Sequence, residues 1–511
     1  MRNHVIAHDL GTTGNKATLY NQDGNLVGST FAGYGTEYAQ VNWAEQNPDD
    51  WWQAVSISTH QLLLDTGIRR NDVACLTFSG QMMGCVPVDR HARPMRNAII
   101  WADQRAVEQV ARIAERISPE DVYRVTGHRL SASYSLAKIL WLRDHQPEVF
   151  AHTHKFVHAK DALVARLTGE FVTDPGDASG MNLYDLETGD WARSILEVAD
   201  LDPEKLPAIR PSTSIVGTVR PAVADEIGVA AGTPVVIGSG DGPCATAGAG
   251  VVGKGSAYNY IGSSAWIALA SDKPILDPSR RTFTFAHLVP GLFMPTGTMQ
   301  AAGTSYQWLR DQLCPLEVRS ASDLDISPYE LMNLEASQSP PGANGLIYLP
   351  YLMGERSPRW NPRARGAFVG LTVRHTRADL IRSVLEGVTM NLRVILDAFR
   401  MQGADIDAIR VIGGGARGRF WNQILADVYG IPILRLAVLE EATSMGAALA
   451  GGVGVGLYSD FNVIEAMNPV SETIEPNPVS QRAYEDIYPI FDATYHALAP
   501  IYDMIAESAA Q

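Results

Sequence analysis

Strand and helix signals that alternate in two successive stretches predict an α/β protein of two lobes. Three observations carry this reading. The chain has 511 residues, more than one hydrophobic core accommodates. Apolar strand signals at Val5–Ala7, Val73–Phe78 and Val235–Ile237 each run into glycine and hydroxyl residues. The pattern then restarts past the midpoint: Ala257–Ile261 leads into Gly262-Ser263-Ser264, a weak echo of Asp9-Leu-Gly-Thr-Thr-Gly14.

Each element has a local reason. Lys16–Tyr20 and Leu26–Thr30, joined by Asn21-Gln-Asp-Gly24, continue the first strand as a meander. A helix is expected over 48–66, with Asn47 as N-cap, Pro48 at the first position, Asp49 and Asp50 at the positive end, and Gly67 as the stop. Asn97–Trp101 reads as a strand running into a helix that reaches Ile117. Further helices are expected over 131–145 and from Lys160 to Gly169. Leu346–Met353 opens a Pro- and Arg-rich loop, and the longest helix runs from Ala378 to Met401, capped by Thr376 and Asp379 and ended by Gly403. Leu380, Val384, Val388, Leu392, Leu396 and Phe399 recur on one of its faces. Gly387 interrupts that helix at about 1 kcal/mol relative to alanine, which points to close packing against a neighbour. A strand at Ile409–Ile412, a helix to Gly430, a strand at Ile431–Leu436 and helical segments complete the chain.

Composition excludes several classes. A net charge of −15 leaves no basic surplus for a nucleic acid, although backbone N–H groups can still bind a small anion. Cys75, Cys85, Cys244 and Cys314 are scattered, so no disulfide framework or zinc site is indicated. No apolar run reaches membrane-spanning length, and the first residues lack a signal-peptide profile. A cytoplasmic protein without nucleic-acid or membrane partners is expected, with room for a homodimer. His152, His154 and His158 could cluster on one face, but no further ligands accompany them, and surface or strand histidines are the simpler reading.

The motifs leave two chemistries. Gly413-Gly-Gly-Ala-Arg-Gly418 satisfies the dinucleotide pattern, with Glu440 placed for a ribose, so an NAD-dependent oxidoreductase is one reading. Gly248–Gly255 falls one residue short of a phosphate loop and leads into a strand, so it is set aside. Pro234–Gly250 carries Asp241 in a glycine-rich turn. Alone, such an aspartate is more often a cap or turn residue. Two Asp-bearing glycine turns (Asp9 and Asp241) and a Gly-Ser-Ser turn together supply the parts of phosphoryl transfer. These are phosphate cradles, a metal-orienting carboxylate and a proton acceptor.

With these residues in view, the whole chain resembles the FGGY family of carbohydrate kinases, most closely its xylulokinases. Asp9-Leu-Gly-Thr-Thr-Gly14 is similar to the first phosphate loop, and Ile261-Gly-Ser-Ser264 to the second. Ile412-Gly-Gly-Gly-Ala416 resembles the adenosine loop, and Gly240-Asp241-Gly242 the turn with the catalytic base. Gly80-Gln-Met-Met-Gly84 and Trp101-Ala-Asp103-Gln-Arg105 resemble the sugar-contacting motifs. Ser133–Leu142 and Gly366–Gly387 match the two family signature segments. The resemblance implies two actin-like (ribonuclease-H-like) ATPase domains, 1–247 and 248–511, with an interdomain cleft for ATP, Mg²⁺ and a ketopentose. It implies Asp241 as general base, and Asp9 and Asp241 at the metal. Gln81, Met82, Met83, Asp103, Asp241 and Gly242 would meet the sugar. Gly11, Thr12, Thr13, Lys16, Gly262, Ser263, Ser264, Gly303, Gly414, Gly415 and Ala416 would meet the nucleotide. D-xylulose is the leading acceptor, with ribulose, L-xylulose or a polyol as alternatives. Met83 stands where the xylulokinase pattern has His, and Gly242 where Asn usually follows the base; each loses a polar group.

Overall fold

The computed structural model describes residues 2–509. Two mixed sheets, one from each half of the chain, organise it. The first contains β1 (His4–Leu10), β2 (Gly14–Asn21), β3 (Leu26–Gly33), β4 (Val73–Gly80), β5 (Ile215–Thr218) and β6 (Pro234–Gly240), in the order β5-β6-β4-β1-β2-β3. The second contains β7 (Ala257–Ile261), β8 (Ala265–Leu269), β9 (Phe283–Ala286), β10 (Phe293–Met299), β11 (Ile409–Ile412), β12 (Ile433–Leu436) and β13 (Val470–Ile474), in the order β9-β10-β8-β7-β11-β12-β13.

The two sheets share one topology. In the first, β1 pairs antiparallel with β2 and parallel with β4, and β4 runs parallel to β6. In the second, β7 pairs antiparallel with β8 and parallel with β11, and β11 runs parallel to β12. An antiparallel strand closes each sheet, β5 in one and β13 in the other. The faint sequence echo at residues 9 and 262 is thus a repeat of a whole sheet plan, with a hairpin tip at the same place in each.

Helices follow the local signals where capping decides them. The helix α1 (Pro48–Thr66) starts at Asn47, whose side chain accepts from the Asp49 N–H, and stops at Gly67 in the left-handed conformation. The long helix α3 (Arg377–Met401) carries the expected Thr376–Asp379 capping box. Of its expected face, Val384, Val388, Leu392, Leu396 and Phe399 are fully buried, whereas Leu380 in the first turn is only half-buried. Gly387 touches the backbone of Tyr348: a Cβ there would lie 2.1 Å from the Tyr348 carbonyl oxygen. Two further helices join the halves. The first, α2 (Asp241–Gly248), crosses α5 (Ala442–Gly454) at glycine contacts, and α5 packs on β1, β4 and β6 of the first sheet. Between α3 and α5 lies α4 (Arg419–Tyr429).

Four expectations change. The helix after Trp101 starts only at Val107, because Asp103 accepts from the backbone of Ala44 and Arg105 and the Gln104 N–H bonds to Asn42. The helix expected from Ser131 starts at Ser135, since Lys138 holds the Ser133 carbonyl out of the helix. Residues 470–474 form a strand, β13, within a stretch read as helical. His158 is fully buried and joins Asp177 and Ser135, remote from a surface histidine face. No helix of the described residues is long and apolar enough to cross a membrane.

Candidate active site

The site begins at the carboxyl ends of three parallel strands. Register aligns Leu10 of β1, Gly80 of β4 and Gly240 of β6 in one row, so the residues that follow emerge side by side. Sheets of this kind place ligands at such strand ends. A register shift between Val236 and Ser239 lets β6 turn its last residues toward the cleft. Gly238 makes this possible: its φ is 67°, and a Cβ would sit 1.8 Å from the Phe78 carbonyl oxygen.

Asp241 is the first residue of α2, with Gly240 as N-cap, and its Oδ1 accepts the Gly242 N–H at 2.7 Å. Its side chain reaches solvent within the cleft, yet protein surrounds it closely enough to disfavour its charge. Burial, then the neighbouring Asp9 charge, push its pKa up to about 7. Asp9, near the end of β1, is raised to about 6 by burial, opposed by the Ser79 hydroxyl and Lys16. Two carboxylates that each resist ionisation fit a divalent cation, which prefers oxygen ligands and relieves their repulsion.

The hairpin tip after Asp9 is closed by the Gly11 N–H bonding to the Gly14 carbonyl at 3.0 Å. Thr12 is fixed by Trp101, whose indole N–H reaches its hydroxyl at 2.9 Å, and by Gln46, which donates to its carbonyl at 2.7 Å. Lys16 on β2 pairs with Glu441, next to α5, at 3.1 Å and so bridges the two halves.

The Gly80–Gly84 loop supplies the opposite wall. Met82 packs against Gly240, and Met83 is held in the left-handed region (φ 63°) while its carbonyl accepts from the buried Lys138 at 2.7 Å. Gln81 and Asp103 are both buried and do not line the cleft. Gln81 donates to Gln46 at 2.8 Å, and Asp103 grips Arg105 at 2.7 Å, which stacks 3.6 Å above the Trp43 ring.

The second half repeats the hairpin tip. At Gly262–Ser264 the Gly262 N–H bonds to Ser264, and the backbones of Ala302, Gly303 and Thr304 clamp the tip from beneath. In the glycine loop after β11, Gly413 and Gly415 pack against Ile261, while Gly414 faces open space with no atom within 4 Å of a built Cβ. Between these parts lies a cleft of about 710 Å³. Thr12, Lys16, Met82, Met83, Asp241, Gly242, Ser264 and Gly414 line it. Asp9 near the end of β1, Gly303 at the start of a helix, and Gly11, Thr13, Gly262, Ser263, Gly415 and Ala416 in the turns around it are not in its lining.

Sequence reading missed several lining residues. Tyr260 and Trp266 stack across the β7–β8 hairpin with centroids 4.0 Å apart, and their strand alternation was the available signal. Phe283, Phe285 and Met294 come from strands without any motif. Arg356 lies in a loop noted only for its proline and arginine content. It faces the cleft, and its guanidinium forms no ion pair among the described residues.

Comparison with known proteins places the chain in a family. Residues 4–248 match the model for the N-terminal domain of the FGGY family of carbohydrate kinases, and residues 257–455 that for its C-terminal domain. A gluconokinase of Bacillus licheniformis is 31% identical over 99% of this chain and 98% of its own length. A xylulose kinase of Staphylococcus epidermidis is 33% identical over 96% of both chains. The crystal structure of ligand-bound xylulose kinase from Lactobacillus acidophilus superposes with a TM-score of 0.90 at 28% identity, covering 98% of this chain and 99% of the other. The fold is the two-domain, actin-like ATPase fold. Gly413–Gly418 therefore sits in the C-terminal domain of a kinase family, and the oxidoreductase reading is withdrawn.

Proposed function

The chain belongs to the FGGY family of carbohydrate kinases, and within it we propose that this enzyme phosphorylates D-xylulose with ATP to give D-xylulose 5-phosphate. What supports the reaction is one juxtaposition: Asp241, at a strand end, faces a cleft to which loops from both halves contribute. Asp241 accepts the proton of the sugar's terminal hydroxyl as that oxygen attacks the γ-phosphorus, and ADP leaves. A pKa near 7 suits a base that works at neutral pH. Asp9 and Asp241 would hold Mg²⁺, whose charge when bound offsets that of the phosphate oxygens. The hairpin tips would offer the backbone N–H groups of Thr12, Thr13, Ser263 and Ser264 to the phosphates, and Lys16 its ammonium. Gly414, with no side chain, leaves room for the adenosine.

A second acceptor, gluconate, has its own support. Gluconokinases resemble the chain as closely as xylulose kinases do. Arg356 offers the cleft a guanidinium free of an ion-pair partner among the described residues, and a bidentate fork suits a carboxylate. A coupled ADP-release assay over D-xylulose, L-xylulose, D- and L-ribulose, gluconate and glycerol decides between them. The highest kcat/KM on D-xylulose is expected. A highest value on gluconate would replace the first reading with the second, and silence on every acceptor would reject both.

A further inference from the structure

We propose that Lys160, with the carboxylates of Asp174 and Asp177, is a positioning clamp that fixes the base-bearing strand end against the acceptor loop; this rests on the reading of Asp241 as the base. Lys160 is the second residue of the helix Ala159–Thr168, which packs behind the row of strand ends. A Cβ on Gly80 would lie 3.0 Å from the Lys160 Cβ, so this helix touches the end of β4. Its ammonium lies 2.6 Å from Asp161, 3.0 Å from Asp174 and 3.2 Å from Asp177, and all four groups are buried. Burial alone would lower the lysine's pKa, but the three carboxylates outweigh it and hold it well above the usual value.

From this centre two arms reach out. Asp174 turns its Oδ2 to the Ser239 hydroxyl at 2.5 Å and the Ser212 hydroxyl at 2.9 Å. Ser239 stands two residues before Asp241, in the irregular end of β6 where the ladder is interrupted. Asp177 takes the other arm: its Oδ1 lies 2.5 Å from His158 Nδ1, and His158 Nε2 lies 2.7 Å from the Ser135 hydroxyl. Ser135 also donates to the Gly84 carbonyl at 2.6 Å, so the chain of contacts runs from Asp177 through His158 and Ser135 to Gly84. Gly84 closes the loop that carries Met82 and Met83.

His158, Asp161 and Asp177 could by spacing hold a metal ion, since their ligand atoms lie within 4.8 Å of one another. The Lys160 ammonium already bonds to Asp161 and forms an ion pair with Asp177, so the cluster has a cation of its own. A buried ion cluster is a poor source of stability, because well-packed apolar residues do as well. Its use here is directional. Its bonds end on the two segments whose separation sets the distance between base and acceptor, where a 1 Å error costs about 100-fold in rate.

Lys160→Met leaves three buried carboxylates uncompensated and endangers folding, so the test cuts the arms in the full-length enzyme. Ser239→Ala should lower kcat about 10- to 100-fold with both KM values within twofold. Ser135→Ala should raise the acceptor KM at least fivefold with kcat nearly unchanged and the ATP KM unaltered. Parental constants in both variants overturn the clamp. So does a response in only one, or a loss in both that follows the folded fraction measured by thermal melting. A parent enzyme that releases no ADP with any acceptor rejects the kinase reading itself, and the clamp with it.

Discussion

Replacing Asp241 by asparagine separates chemistry from stability in one variant. The substitution keeps size and shape, and the asparagine oxygen can still accept the Gly242 N–H that Asp241 now accepts at 2.7 Å. What disappears is the ability to take a proton, together with the negative charge that Asp241 would offer to Mg²⁺. General-base catalysis contributes about 10²- to 10⁴-fold, so kcat should fall by that factor. ATP binding should persist, because the glycine loop and the second hairpin tip lie on other elements. Stability moves the opposite way. The folded pKa of Asp241 is about 7, above its unfolded value near 3.9, so the native state binds more protons between these values. Wild-type stability therefore falls as pH rises from about 4 to about 7, and asparagine removes that loss. The side chain meets solvent in the cleft, which screens the effect to about 0.5–1 kcal/mol at pH 8. The assays are ADP release at saturating acceptor and thermal melting at pH 5 and pH 8. A kcat within tenfold of the parent, with an unaltered fold, would refute Asp241 as the base.

Three other outcomes follow from particular contacts. Gly414→Ala meets no neighbour, so melting should be unchanged while the ATP KM rises at least tenfold; both are read on the same preparation. Gly387→Ala forces a methyl 2.1 Å from the Tyr348 carbonyl and should destabilise by about 3 kcal/mol or more in urea unfolding. Glu355 is buried, and its pKa is raised to about 8, first by burial, against hydrogen bonds from Gln300, Arg356 and Asn391. Its contribution is full below pH ~4.5 and is lost as pH rises through about 8, so Glu355→Gln should gain about 1–3 kcal/mol on the parent at pH 8 and nothing at pH 4.

Features set by neighbours in the chain were legible from sequence. The cap at Asn47, the stop at Gly67, the capping box at Thr376 and the glycine turns depend on a few adjacent residues, and each falls where expected. The same locality explains how an ordered set of short motifs identified the family. Locality also accounts for the errors: Trp101–Ala106 has a helical pattern but is drawn aside by bonds to residues 42–44.

The tertiary structure alone decided which chemical groups meet. Strand register set Leu10, Gly80 and Gly240 in one row, and with them Asp9 and Asp241, which are 232 positions apart in sequence. It turned Gln81 and Asp103 into the wall, where the Gln81 amide group donates to Gln46 and the Asp103 carboxylate holds Arg105. It also brought Arg356, Phe283 and Met294 to the cleft from segments without a motif. Such meetings depend on pairings across hundreds of residues and on burial from every side. Sequence fixes the groups a chain carries; long-range packing sets the distances and the desolvation on which their chemistry depends.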